Sequence, residues 1–154
     1  MKQTPYWKKV TERMAPGVLS LNGFLGEDPR RIEEIIEADN ATVNGLWTTH
    51  EALSDKLMEV YEIASAGLGA KVAVADRLKA GVLEVLGRIP CPFGGCGTFP
   101  KGEVELVEED TGRRIRFTPM SIHMIRTHGF YEGVGSRYRV DPKLLYDLFH
   151  EMKG

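Results

Sequence analysis

The sequence predicts an α+β fold in which a helical N-terminal half packs on a small antiparallel sheet and a helix ends the chain. Apolar residues recur at helical spacing through 29–66, and they alternate with polar residues through 103–118. Asp141-Pro142 is a typical start for a last helix. With 154 residues, we expect one compact unit made of a helical region, 1–69, and an α+β region, 70–154.

The composition is that of an ordinary globular protein, with 42% hydrophobic and 27% charged residues. A net charge of -2 indicates neither a general nucleic-acid binder nor an acidic tail. No apolar run approaches the roughly 20 residues of a membrane span, and Met1 to Arg13 contain no apolar signal-peptide core. We therefore expect a cytoplasmic protein, and a reducing compartment argues against a disulfide between its two cysteines.

The first 66 residues predict helices. Residues 1–28, rich in proline and glycine, indicate an irregular arm with one short helix. Asp28-Pro29 has the form of a cap followed by proline at the first helical position, and this helix is expected to end near Asn40. Thr48-x-x-Glu51 has the form of a capping box and predicts the longest helix over about 49–66.

The segment 76–87 fits both a helix and a strand, because its apolar residues have helical spacing but β-forming residues also recur around Val82–Ile89. We favour strands, since the segment runs into Pro90-Cys91-Pro92, where proline restricts the preceding residue to extended backbone. Lys71–Ala75 immediately before it also has the composition of a strand.

The last third of the chain gives clearer signals. Alternation in 103–109 and 113–118 around Asp110-Thr111-Gly112 predicts a β-hairpin. Thr118-Pro119 then starts a helix of about ten residues that ends at Gly129. A glycine-rich loop follows before the last helix.

Four potential metal ligands occur in two pairs. Cys91 and Cys96 are the only cysteines in the chain. A stretch of 26 residues separates Cys96 from His123, which with His128 makes two of the four histidines. The predicted hairpin and helix can bring these side chains to one point. Tetrahedral zinc prefers thiolate and imidazole ligands, so the sequence predicts a zinc site that uses all four.

A turn with two thiols, then a hairpin, then a helix with two histidines resembles the ββα module of Cys2His2 zinc fingers. The resemblance covers 91–128, about a quarter of the chain, and implies a structural zinc ion. The 26-residue gap is about double the usual twelve, so the family's base-reading positions do not carry over.

The histidine spacing sets a further condition. Residues five apart on an ideal α-helix point about 140° apart, so His128 can join His123 only if the last turn tightens or frays. Other interpretations stay open at this point. The cysteines can be small buried apolar residues or a disulfide or redox pair, His123 a hydrogen-bonded core residue, and His128 a favourable cation at a helix C-terminus.

Basic residues concentrate near the C-terminus, where six arginines lie within 27 residues among tyrosine and phenylalanine. Arginine mixed with aromatic side chains suits phosphate contact and base stacking, so we expect an arginine-rich surface for an anionic partner such as nucleic acid. The alternative is a solvated strand face whose arginines pair with the acidic helix in Glu27–Asp39. The six residues are Arg113, Arg114, Arg116, Arg126, Arg137 and Arg139.

These patterns predict a binding protein in which structural zinc supports the arginine-rich surface. Two alternatives remain, a metal-dependent hydrolase with an open zinc position and a metal-free interaction domain. In the hydrolase, Glu103 or Glu132 is the candidate general base, although no H-E-x-x-H motif is present. The sequence does not indicate the partner, the substrate or the oligomeric state.

Overall fold

The computed structural model describes residues 4–150 and confirms the α+β fold. The helices are α1 Pro5–Arg13, α2 Ile32–Gly45, α3 His50–Ala66, α4 Pro119–His123 with a π-helical continuation over Met124–His128, and α5 Pro142–His150. The strands are β1 Val72–Ala75, β2 Leu78–Leu83, β3 Arg88–Pro90, β4 Thr98–Pro100, β5 Glu103–Glu108 and β6 Arg114–Phe117. No helix among these residues is both long and apolar enough to cross a membrane.

Four strands form one antiparallel sheet in the order β1-β2-β5-β6. Its central pair aligns Val82 with Val104, and the next pair aligns Val104 with Phe117. Alternate side chains along β2 and β5 are buried, as the period of a strand requires when one face covers a core. The strands predicted within 76–87 and 103–118 are therefore confirmed.

Helix α3 covers the buried face of this sheet. Its side chains Leu53, Leu57, Val60 and Ala64 recur at helical spacing and are all buried in the core that the sheet shares. The predicted capping box was wrong by one residue. The hydroxyl of Thr49 caps the helix, accepting the backbone N–H of Ala52 at 3.0 Å.

Helix α2 begins later than predicted, at Ile32 instead of Pro29. The Asp28 carboxylate does not cap it, because it accepts hydrogen bonds from the Arg30 guanidinium at 2.7 and 2.9 Å and from the Val134 backbone N–H at 3.0 Å. These bonds hold the pKa of Asp28 well below its usual range. Asp28 thus connects the N-terminal arm to the loop after α4.

A second core lies beside the first, where α1, the arm around Phe24 and the short β3–β4 hairpin meet α4. Val10 and Met14 of α1 are fully buried here, together with Phe130. The β3–β4 hairpin pairs Ile89 with Phe99 and forms a separate two-stranded sheet. This core contains Cys91, so the elements that build it also position the thiols.

The loop that follows α4 packs tightly on the N-terminal arm. The N–H of Gly133 donates to the Phe24 carbonyl at 2.9 Å, and a Cβ at Gly133 would lie 2.1 Å from the carbonyl oxygen of Leu25. Only glycine allows this approach of two backbone segments. The proposed boundary between 1–69 and 70–154 stays a prediction, and residues 1–3 and 151–154 at its outer limits lie outside the described residues.

Replacing Gly133 with alanine should lower the free energy of unfolding by at least about 2 kcal/mol, because the new methyl group must displace backbone atoms. Gly45→Ala is the matched control, since a Cβ there meets nothing within 4 Å. It should stay within about 1 kcal/mol of wild type. Urea denaturation measures both, and equal midpoints for the two variants would contradict the packing described.

Candidate metal centre

The two cysteines occupy the connection of the β3–β4 hairpin. Cys91 follows β3 directly, and its carbonyl accepts the N–H of Gly94 at 3.0 Å, which starts a tight turn. Gly94, Gly95 and Gly97 have φ values of 88°, 75° and 80°, the left-handed region that glycine adopts without steric cost. This backbone path turns both thiols to the same side, facing α4.

A π-helical turn brings the two histidines together. The sequence predicted a tightened or frayed last turn, but the structure widens it over Met124–His128. A π-helix has i→i+5 hydrogen bonding and roughly 4.4 residues per turn, so residues five apart return close to the same face. The imidazole rings of His123 and His128 have centroids 5.3 Å apart. The turn ends at Gly129, whose φ is 64°.

The four side chains form one cluster, with their ligand atoms all within 4.8 Å of one another. The His128 Nε2 atom lies 3.6 Å from the Cys91 Sγ atom and 3.5 Å from the Cys96 Sγ atom. Usual Zn–S and Zn–N bond lengths around a tetrahedral ion place sulfur and nitrogen about 3.6 Å apart. The cluster can therefore hold a metal ion with little rearrangement.

One atom of the cluster has no other partner. The His123 Nε2 atom is buried without a hydrogen bond among the described residues, while Nδ1 lies 3.3 Å from the Thr127 hydroxyl. A buried polar nitrogen without a partner is costly, and a bound cation would satisfy it. Burial lowers the pKa of both His123 and His128, which keeps the rings in the neutral form that binds metals.

Burial also disfavours the charged form of the Cys91 thiol. Burial, backed by the adjacent Cys96, raises the pKa of Cys91 to about 11. Both cysteines are free thiols. A bound divalent cation would lower the pKa of the thiols, because it stabilises the thiolate form and pairs with its buried negative charge.

Two phenylalanines from the thiol hairpin hold the imidazoles in place. Phe93 stacks on His128 with ring centroids 4.0 Å apart, and Phe99 stacks on His123 at 4.3 Å. Neither phenylalanine was among the site residues predicted from the sequence. Their signal is their position within Cys91-Pro-Phe-Gly-Gly-Cys96-Gly-Thr-Phe, where each lies two or three residues from a thiol.

The resemblance to a ββα module needs one correction. The thiols belong to the β3–β4 hairpin, whereas the predicted hairpin between the two ligand pairs, β5–β6, forms part of the four-stranded sheet. The chain thus leaves the thiol hairpin, adds two strands to another sheet and returns with α4. This excursion accounts for the 26 residues between the ligand pairs.

Every arginine of the predicted anion-binding surface forms an ion pair with an acidic residue. Arg126 extends from the π-turn to Glu51 and Asp55 of α3, and Arg139 pairs with the buried Asp39 of α2. The remaining pairs are Arg113 with Glu108, Arg114 and Arg116 with Glu105, and Arg137 with Glu103. The anionic partner stays a prediction.

The two candidate general bases are not members of the metal cluster. Glu103 accepts hydrogen bonds from Arg137 at 3.0 Å and from the Tyr138 hydroxyl at 2.9 Å. Glu132 is buried, and its Oε1 atom accepts the Ser136 hydroxyl at 2.6 Å. Burial raises the pKa of Glu132 to about 8, so this side chain is largely an uncharged acid at neutral pH.

Glu132 should make stability depend on pH. The unfolded chain ionises this carboxyl near its ordinary pKa of 4.5, whereas the folded chain retains the proton up to a pKa of about 8. Its stabilising contribution is complete below pH 4.5 and is lost as the pH rises to 8. Glu132→Gln removes this loss, so the variant should gain on wild type by up to about 1.4 kcal/mol per pH unit in that window.

Urea denaturation from pH 5 to pH 8 measures the difference between the two proteins. The control is Glu109→Gln, which removes an exposed carboxylate paired with Lys79 and should follow the wild-type curve. Parallel curves for wild type and Glu132→Gln would show that the folded and unfolded states ionise this residue alike.

Comparison of the chain with protein-family models, with curated proteins and with solved structures finds no match. The function is therefore argued from the chemistry of the site itself. The feature that most directly indicates a function is the cluster of two thiols and two imidazoles, which a glycine-rich turn and a π-helical turn bring together.

Proposed function

We propose that this chain binds one zinc ion through Cys91, Cys96, His123 and His128, and that the ion is structural. The convergence of the four ligand atoms within 4.8 Å carries the proposal. Two thiolates and two imidazoles form one of the common ligand sets of structural zinc. Softer thiolate ligands also disfavour magnesium and calcium, which prefer oxygen.

The part of the fold that the ion would connect supports a structural role. Strands β3 and β4 have three residues each and pair only with one another. A two-stranded hairpin of this size is at best marginally stable by itself. An ion bound to both thiols and both imidazoles would fasten this hairpin to α4, which contributes side chains to both cores.

The chemistry of the four ligands also supports a structural role for the ion. Four protein ligands fill a tetrahedron and leave no position for water, and thiolates lower the Lewis acidity of the ion. Phe93 and Phe99 further cover the two imidazole rings. The ion would hold the fold together, and any partner would bind elsewhere on the surface.

The metal-dependent hydrolase is the second candidate, and one observation favours it. His128 lines a cleft of about 480 Å³ together with Trp7, Glu33 and His50. The Oε1 atom of Glu33 is buried and has no hydrogen-bond partner among the described residues. If one protein ligand left the ion, a substrate could approach from this cleft.

Wild-type protein purified without chelator should contain about one zinc per chain, since structural sites bind zinc with roughly 10–16 kcal/mol at neutral pH. Cys96→Ser should lose most of the metal and melt at a lower temperature. Elemental analysis and calorimetry measure the two effects. His150→Ala is the matched control, because His150 lies on α5 and bonds only the Tyr146 carbonyl among the described residues.

Chelation should act on one part of the chain. Amide hydrogen exchange should accelerate over 91–128 when zinc is removed, while the helices between 32 and 66 keep most of their protection. Untagged protein that contains almost no metal after growth with zinc would rule out the proposal and favour the metal-free interaction domain.

Cobalt substitution should distinguish a closed site from an open one. With four protein ligands, Co²⁺ should give a tetrahedral spectrum with sulfur charge-transfer bands that added azide does not change. Cys96→Ser is the positive control, since the loss of one ligand opens a position, and an excess of Co²⁺ offsets its weaker metal binding. An azide-dependent shift in the wild-type spectrum would instead support the hydrolase.

A further inference from the structure

A cavity of about 200 Å³ lies between the N-terminal arm, the β3–β4 hairpin and α4, and none of the four metal ligands lines it. Its inner wall is apolar and includes the buried side chains of Phe24, Ile89 and Met120. Leu21 and Val85 also line it although they are 84% and 45% exposed, so they mark its opening. An apolar cavity of about 150 Å³ holds benzene, so this one accommodates a single ring with a short substituent.

One carboxylic acid belongs to this apolar lining. Glu132 is 2% exposed, and its Oε1 atom has the Ser136 hydroxyl as its partner. The guanidinium of Arg139 bonds the backbone carbonyl of Glu132 at 2.9 Å and forms its ion pair with Asp39. Among residues 4–150, the Glu132 carboxyl has no ion-pair partner.

The backbone of Glu132 is strained as well. Its φ is 70°, in the left-handed region that residues other than glycine rarely adopt. Strained backbone and a buried acid without an ion-pair partner both cost folding free energy, and such costs concentrate at binding and catalytic sites. Both costs fall on one residue that lines the cavity, and a bound ligand would explain why the fold retains them.

Two other polar side chains of the lining, one buried and one half-buried, are already engaged. The Thr118 hydroxyl accepts the N–H of Ser121 at the start of α4, and the Tyr138 hydroxyl donates to Glu103. Lys101 also lines the cavity but is exposed. The Glu132 carboxyl is thus the buried group that can still bind a hydrogen-bond donor or a cation.

We propose that this cavity binds a small organic amine, whose ammonium group pairs with Glu132 and whose apolar body packs against Phe24, Ile89 and Met120. The ammonium supplies a direct ion pair, which Arg139 does not form because it pairs with Asp39, and the ring packs against the apolar part of the lining. Burial raises the pKa of Glu132, and a bound ammonium favours its ionised form. None of the four proposed zinc ligands lines this site.

Benzylamine is a suitable probe, with benzyl alcohol and benzoate as controls of the same size that carry no positive charge. We expect benzylamine to bind the zinc-loaded full chain near neutral pH at least tenfold more tightly than either control. Glu132→Gln should weaken benzylamine binding about tenfold and leave benzyl alcohol binding unchanged. Glu109→Gln, which alters an exposed acid on another surface, should bind benzylamine as wild type does.

Methyl NMR of ¹³C-labelled methionine locates the ligand without any change at Glu132. The Met120 signal should shift on addition of benzylamine, whereas the signal of Met58, exposed on α3, should not. This measurement keeps the test valid if Glu132→Gln fails to fold. Binding of benzylamine and benzyl alcohol with equal affinity, no shift of the Met120 signal, or no binding at millimolar concentration would overturn the proposal.

Discussion

The five-residue separation of His123 and His128 is the constraint on which the metal centre depends. In a regular α-helix the two imidazoles would point to different sides, and only one could meet the thiols. The wider turn over Met124–His128 solves this problem, with the Phe130 N–H bonded to the Met124 carbonyl and Gly129 ending the helix in the left-handed region. Short π-helical turns are rare and frequently occur at functional sites, which agrees with the role proposed here.

The thiol hairpin is held on several sides at once. Its turn accepts hydrogen bonds on the Pro92 carbonyl from Arg13, at 2.6 Å, and on the Phe93 carbonyl from the Tyr6 hydroxyl, at 3.3 Å. The same Phe93 ring contacts Trp7 and stacks on His128. The N-terminal helix and the proposed ion thus both hold one small hairpin, whose strands pair only with each other among the described residues.

The arginines of the predicted anion-binding surface connect parts of the fold to one another. Arg126 joins the π-turn to α3, Arg139 joins the loop after α4 to α2, and Arg137 joins the same loop to β5. The Arg139 pair with Asp39 is largely buried, so breaking it would leave an unpaired charge. The exposed pairs contribute little each, and they neutralise the local excess of positive charge that the sequence indicated.

Local patterns were sufficient to predict most of the elements. The period of apolar residues indicated α3 and the strands between 72 and 117, and the glycine and proline signals indicated where α4 and α5 begin or end. Helix starts were harder to predict, because a side chain that can cap a helix can instead bond to residues from another part of the fold. Asp28 bonds Arg30 and Val134 instead of capping a helix, and this choice depends on a loop more than 100 residues away.

The sequence by itself determined which four residues are the candidate metal ligands, because they are its two cysteines and two of its four histidines, and tetrahedral zinc prefers such ligands. Only the tertiary structure decided how they meet. The widened turn, the stacking of Phe93 and Phe99 and the placement of β5–β6 in another sheet all result from long-range packing. The sequence named Glu132 as a candidate base but did not indicate its burial, since burial and the lack of an ion-pair partner are properties of the folded chain alone.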